Sequence, residues 1–452
     1  MKFRVEREAW GEAVAWAARA LPTRPVVPVL SGLLLRAGDD GLTVSCFDYE
    51  VSARIVVAAE VAEPGSALVP GRLLAEITRS LPGQPVELSF GGDADMVSLS
   101  CGGAEFSVVS LPMQDYPALP EPPEPAGTVD GGTLAAAALQ VVPSASRDDT
   151  LPMLTAVCLE IDGQLMTLAA TDRYRLAVRD LAWEPVQPGV RAAALVPART
   201  LADVARTMTA GVPVTVAFGA GDAGQADGNH DAAPRPAEGM ISFEGGGRRL
   251  TARLIGGEFI RYRSRFPADF SSVADLPATS FIEAVRRVAL VADRASPVRL
   301  SFGGGQVTVE AATDGRARAV ESVPADFSGD ERVIAFNPHY LLDGLTAAAL
   351  PAAASSPASA GSGGETGDSG AGAAGSADGH RSAGAPDGAT SAAQARVRLQ
   401  FNSQAKPALI TSTREDGARV DGARVDGARG DSDPEQKGLR YLVVPLRVPA
   451  GN

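Results

Sequence analysis

Gly163-Gln-Leu-Met-Thr-Leu-Ala-Ala-Thr-Asp172-Arg-Tyr174 decides the reading of this chain, because versions of it occur three times. The others are Gly41-Leu-Thr-Val-Ser-Cys-Phe-Asp48-Tyr-Glu50 and Gly305-Gln-Val-Thr-Val-Glu-Ala-Ala-Thr-Asp314-Gly-Arg316. Each reads as a glycine turn, an alternating strand, and an Asp-led turn into another strand. A second triplet follows in the same order: Val69-Pro70-Gly-Arg72-Leu-Leu74, Val196-Pro197-Ala-Arg199-Thr-Leu201 and Phe336-Asn337-Pro-His-Tyr340-Leu341. Pro at or near a first turn suits a helix start, since its fixed φ and missing N–H cost nothing there. Both triplets recur at about 125–140 residues, which predicts three copies of one α+β domain, at 1–122, 128–268 and 277–452. The Pro-rich stretch from Pro117 to Pro125 makes a natural first linker.

One Asp per repeat at an equivalent turn predicts that Asp48, Asp172 and Asp314 cap turns and are not a catalytic set. Three segments interrupt the repeats. Residues 219–238 are rich in Gly, Ala and Asp, and 352–395 in Ser, Gly and Ala; 414–437 hold a tandem built on Asp416, Asp421 and Asp426. None has the apolar content to bury a core, so disordered insertions are expected. They contribute −3, −3 and −2 to a net charge of −13, leaving the rest of the chain only mildly acidic.

Beyond the repeats, three helices carry an apolar stripe and a basic back. Leu74, Ile77 and Leu81 set Arg72 and Arg79 opposite; Leu201, Val204 and Met208 do the same for Arg199 and Arg206. In the third copy a helix from Phe281 to Arg294 buries Val285, Val288 and Ala292 and turns out Arg287 and Arg294. A recurring arginine pair suits a surface that follows phosphates without reading sequence.

Several function classes have little to build on. His230 and His380 lie in the insertions, leaving His339, so a Ser-His-Asp set or multi-histidine metal site is not expected. There is no P-loop, and Gly219-Ala-Gly221-Asp-Ala-Gly224 is followed by polar, Pro-broken sequence instead of the helix a dinucleotide fold needs. That weighs against a nucleotide-dependent enzyme. Asp148 and Asp149 read as a loop, and no cofactor is expected. Cys46, Cys101 and Cys158 are widely spaced in strand-like sequence and read as buried small hydrophobes. The charged start, Met1 to Glu8, and the lack of a membrane-length apolar run predict a cytoplasmic protein with no membrane partner.

The opening Met1-Lys-Phe-Arg-Val-Glu-Arg-Glu8 and Arg24-Pro-Val-Val-Pro-Val-Leu-Ser-Gly-Leu-Leu-Leu35 resemble bacterial beta sliding clamps (DNA polymerase III subunit beta). So do Ala170 to Ala177, Phe259 to Pro267, Phe336 to Gly344 and the ending Tyr441-Leu-Val-Val-Pro-Leu-Arg-Val448. The resemblance implies a DNA clamp fold: three repeated domains with antiparallel sheets outside and two helices each inside, closed as a head-to-tail homodimeric ring. It implies a non-catalytic processivity factor that encircles double-stranded DNA without sequence preference. Arg24, Arg72, Arg79, Arg147 and Arg199 would face the channel, joining Arg206, Arg287 and Arg294 read from periodicity.

By the same resemblance the dimer seam would pair Phe106 and Val108 with Leu290 and Val291. A pocket between domains 2 and 3 would capture short peptide motifs of the DNA polymerase III alpha-type subunit, the clamp loader and repair proteins. It would comprise Thr171, Arg175, Leu176, Ile260, Ser264, Arg265, Asn337, Tyr340 and the run Leu442, Val443, Val444, Pro445, Leu446, Arg447. The family usually has Pro where Ile260 stands, an apolar residue where Arg265 stands, and often Met where Val444 stands. A divergent paralogue with altered or lost peptide binding is therefore the alternative.

Overall fold

A computed structural model describes residues 1–447 apart from 92–94, 209–210, 220–238, 294–295, 314–315, 330–332, 351–394, 405 and 414–437. The expected insertions, Asp314 and Arg294 thus lie outside the described residues, save Gly219 and Ala395 at the insertion ends.

The first unit runs β1 (Lys2–Val5), α1 (Arg7–Arg19), β2 (Gly32–Gly38), β3 (Gly41–Phe47), β4 (Val51–Val57), β5 (Glu60–Glu63) and β6 (Gly65–Pro70). It ends with α2 (Gly71–Ser80), β7 (Val86–Phe90), β8 (Met96–Cys101) and β9 (Ala104–Val109). The second repeats that order: β10 (Pro125–Asp130), α3 (Gly131–Val141), β11 (Ala156–Asp162), β12 (Leu165–Thr171), β13 (Arg175–Ala182), β14 (Glu184–Pro185) and β15 (Arg191–Pro197). Then come α4 (Ala198–Thr207), β16 (Pro213–Phe218), β17 (Met240–Gly245) and β18 (Arg248–Arg253). The third runs β19 (Ser272–Pro277), α5 (Ala278–Ala289), β20 (Val298–Gly303), β21 (Gln306–Thr313), β22 (Ala317–Pro324), β23 (Asp326–Gly329) and β24 (Val333–Phe336). It closes with α6 (Pro338–Ala349), β25 (Arg396–Phe401), β26 (Ala408–Thr413) and β27 (Leu439–Val443).

Two corrections follow from this order. The third unit begins with β19 at Ser272, so the expected start at 277 falls at that strand's end; Pro277 is the N-cap of α5, not a boundary. And α5 fills the slot of α1 and α3. The counterpart of α2 and α4 is α6, which carries no arginine. Periodicity alone cannot tell the two helix slots apart. The helix also stops at Ala289: Leu290, Val291 and Ala292 donate to carbonyls three residues back, a tightened turn that ends α-helical pairing before residue 294.

The Asp-led turns form as expected where they are described. Asp48 accepts the N–H groups of Glu50 and Val51 at 3.0 and 2.7 Å, and Asp172 those of Tyr174 and Arg175 at 3.0 and 3.1 Å. All three cysteines are free and buried.

Every sheet pairing is antiparallel, and the sheets cross unit boundaries. The second unit's ninth strand, β18, pairs with the first unit's fourth, β4, from Arg248 opposite Ile55 to Ala252 opposite Val51. The third unit's ninth strand, β27, pairs with the second's fourth, β13, from Leu439 opposite Arg179 to Val443 opposite Arg175. Two nine-stranded sheets result, flanked by a five-stranded sheet ending in β9 and a four-stranded sheet ending in β22. The helices of each unit pack on one another and on its strands, and α3 meets α6 across the second seam. Trp10, Phe281 and Leu341 are fully buried beneath them. Burying aromatic and aliphatic side chains of this size stabilises by roughly 1.5–3 kcal/mol each.

Candidate functional site

The second seam gathers a polar cluster. The turn from β12 to β13 presents Thr171, whose hydroxyl donates to the Arg175 carbonyl at 2.6 Å and accepts from the Arg173 N–H at 3.2 Å. Arg173 takes a left-handed φ of 82°, an uncommon conformation for a residue with a Cβ. Arg175 projects from this turn toward the third unit. Its Nε donates to Asp172 at 2.9 Å, and its Nη1 pairs with Asp343 of α6 and reaches the Tyr441 hydroxyl at 3.4 Å. The guanidinium lies 4.7 Å from the Tyr340 ring centroid, and Tyr340 stacks on Tyr174 at 5.9 Å. Burial alone would lower the Arg175 pKa; Tyr441, Asp343 and Asp172 raise it above the usual arginine value. The hydroxyl of Tyr441 donates to the Tyr340 carbonyl at 2.9 Å.

An apolar floor lies beside this cluster. Leu176 and Leu442 face each other across the β13–β27 ladder and are buried with Cys158, Val178, Leu195 and Tyr262. The loop that follows β18 covers them with Ile255, Phe259 and Phe266. Glu160 anchors that loop by accepting from the Tyr262 hydroxyl at 2.7 Å and from Arg263 at 2.6 Å. The chain after β27 continues along the turn: Val444 N–H donates to the Tyr174 carbonyl at 2.9 Å, and Leu446 N–H to Ala335 at 2.8 Å. This leaves Tyr174, Ile260, Val444 and Leu446 exposed together with Ser264, Arg265 and Arg447.

The expected pocket residues therefore meet at one seam, with refinements. Asn337 caps α6 through its Oδ1 and the His339 N–H at 2.9 Å, and Val443 is buried in the main core, so neither offers its side chain freely. Glu160, Tyr174, Tyr262, Asp343 and Tyr441 were missed by the sequence reading. All but Glu160 lie in the stretches quoted for the resemblance, and Asp343 is also the only acid on α6.

The basic residues fall into two groups. Arg24, Arg72, Arg79, Arg147 and Arg199 are exposed on the first two units; Arg72 donates to the Pro22 carbonyl at 3.1 Å. Arg206 is exposed but pairs with Asp203 at 2.9 Å. Arg287 does not match them: its guanidinium binds both oxygens of Glu321 on β22, at 3.0 and 2.6 Å, which holds it against the edge strand and corrects its placing with the α2 and α4 pairs. Of the expected seam residues, Leu290 is 85% exposed. Val291 and Phe106 are half-buried, and Val108 already faces the first unit's core. The neighbouring outward residues are Val109 on β9 and Val320 on β22, 61% and 49% exposed.

Among the described residues no group of three His, Cys, Asp or Glu side chains could hold a metal, and no helix is long and apolar enough to cross a membrane. Models of the N-terminal, central and C-terminal domains of the DNA polymerase III beta subunit match residues 1–120, 128–260 and 263–354. The chain is 51% identical over 353 residues to the beta sliding clamp of Streptomyces coelicolor, an alignment covering 78% of this chain and 90% of that protein. It is 45% identical over 324 residues to the clamp of Micrococcus luteus, covering 72% and 99%. A Pseudomonas aeruginosa sliding clamp solved bound to griselimycin superposes with a TM-score of 0.74 at 22% identity, covering 99% of this chain and all of the other. The chain belongs to the beta sliding clamp family, the non-catalytic processivity subunit of DNA polymerase III.

Proposed function

We propose that two copies of this chain close head to tail into a ring of six domains that encircles double-stranded DNA in the cytoplasm. The observation that carries this reading is that one ninth strand and one fourth strand each lie at a sheet edge without the partner their counterparts have. Both seams within the chain join a ninth strand to a fourth strand. In the first unit the ninth strand is β9, and in the third the fourth is β22; each ends its sheet. A second copy supplies the missing partner for each, with Phe106 and Val108 meeting the partner's Leu290 and Val291. The domains correspond to about 1–122, 128–268 and the remainder from β19 onward.

Arg24, Arg72, Arg79, Arg147 and Arg199 then face the DNA, with Arg206 contributing less because Asp203 neutralises it. Such contacts hold phosphates without reading bases, which lets the ring slide. The seam between units two and three is the pocket for peptide segments of the DNA polymerase III alpha-type subunit, the clamp loader and repair proteins. Arg265 supports a second reading, a clamp copy with altered partner preference.

The test is retention on nicked circular DNA after loading by the cognate clamp loader, followed by a single cut. Protein held on the circle in high salt and released by linearisation would establish topological binding. Free exchange off the intact circle would reject the ring. Retention without stimulation of the polymerase would favour the second reading.

A further inference from the structure

We propose that Arg265, with Arg261 beside it, makes the pocket select partner segments that carry a carboxylate side chain next to their apolar anchors; this rests on the pocket reading above. The charges around the pocket carry the argument. Asp172 and Asp343 are both engaged by Arg175, Glu160 by Arg263, and Asp180 by Arg440 at 3.0 Å. The carboxylates that line the seam are thus neutralised within the chain. Arg261, Arg265 and Arg447 are exposed and make no ion pair among the described residues, against two exposed acids, Glu258 and Asp269, on the loop that carries the first two. The pocket rim has a local surplus of positive charge on a chain whose net charge is −13.

The backbone beneath Arg265 is held firmly. Its N–H donates to the Tyr262 carbonyl at 2.9 Å, Tyr262 is buried and bonded to Glu160, and Phe266 lies under the Arg440 guanidinium at 5.0 Å. A free guanidinium on a fixed turn, on the same loop as the half-exposed Ile260, can meet a carboxylate through two parallel hydrogen bonds. Screening confines its influence to roughly 8 Å at physiological salt, so a single acid in a docked peptide feels it while the chain's overall acidity opposes a polyanion.

The experiment uses the full-length protein and fluorescent peptides copied from the clamp-binding segment of the cognate polymerase alpha-type subunit. Each position is replaced singly by Asp, Asn or Lys, and anisotropy gives Kd. At a position beside the anchors, Asp should bind about fivefold tighter than Asn and Lys more weakly than either, with the difference abolished at molar salt. Arg265→Val should erase the Asp advantage over Asn, and Arg265→Glu should turn the preference toward Lys. Charge-independent binding at every position, or an Asp advantage that survives Arg265→Val, overturns the proposal while leaving the pocket intact. Failure of every peptide to bind, the unsubstituted one included, removes both the proposal and the pocket. Displacement of peptide by a short single-stranded oligonucleotide through Arg265, with no Asp preference, would reassign the rim to nucleic acid and equally overturn it.

Discussion

Leu290→Ala isolates the interface between subunits from the fold of each. Leu290 is 85% exposed, so truncating it removes little from the folded monomer. If it seats against the first unit of a second copy, the lost carbons withdraw about 2 kcal/mol of burial at each seam, at roughly 0.8 kcal/mol per methylene. Head-to-tail closure uses two identical seams, so the dimer loses about 4 kcal/mol. At 1.4 kcal/mol per decade the dimer Kd rises roughly a thousandfold. Sedimentation of wild type and variant across nanomolar to micromolar concentrations measures this, and thermal melts of the dissociated chains should coincide. A shift of less than about tenfold, with both chains folded, would refute the placing of Leu290 at the seam.

Other outcomes follow from the same geometry. Gly344→Ala would set a Cβ 2.5 Å from the buried Tyr441 ring; such overpacking costs about 1–3 kcal/mol in urea unfolding, and displacing Tyr441 should weaken peptide binding through Arg175. Arg72→Ala, Arg79→Ala and Arg199→Ala should each lower the salt dependence of DNA binding by roughly 0.9 in log–log slope, whereas Arg287→Ala should leave it unchanged because Glu321 already holds that charge. Burial pushes the Cys46 thiol from its ordinary value of 9.0 up to about 12. A raised folded pKa gives stability that is complete below the unfolded pKa and fades as pH climbs from about 9 toward 12, by up to about 1.4 kcal/mol per pH unit. Cys46→Ala should therefore flatten the alkaline fall in denaturation free energy by one proton's worth, and an unchanged slope would contradict that assignment.

How far residues alone carry depends on whether a feature is local. The Asp-led turns at Asp48 and Asp172 are made within four residues, so their spacing suffices to read them. The helix starts at Pro70 and Pro197 are equally local. The slot of α5 cannot be read from its stripe, which looks the same whether the helix comes first or second in its unit; the order of the opening triplets, which sets Phe336 beside Val69 and Val196, does separate the two. Arg287 looked free because its pairing is not local: Glu321 sits 34 residues away on a strand that only the fold brings alongside. The charged network at the pocket is more remote still, since Arg175 meets Asp343 across 168 residues and Tyr441 across 266. Resemblance to a family supplied the expected pocket residues, and the hydrogen bonds show how Thr171, Arg175 and Tyr340 among them meet at the seam.

The seams also constrain the symmetry of any assembly. A ninth strand and a fourth strand are different surfaces, so two β9 edges placed together would not reproduce the β4–β18 or β13–β27 pairing. Each chain has one open edge of each kind. An arrangement that satisfies both must join β9 of one copy to β22 of the next and then close, or it would grow without limit. Open, unpaired edges invite aggregation, and closure into a ring removes them. The Arg287–Glu321 pair fits this logic: it consumes charge on β22 that would otherwise have to be desolvated when a partner strand arrives. Glu321→Ala should then release Arg287 from β22, leave it only the longer 3.7 Å contact with Glu283 beside the incoming strand, and weaken dimerisation more than Arg287→Ala and Glu321→Ala together. Equal effects of the single and double variants on the dimer Kd would show that the pair plays no part in closure.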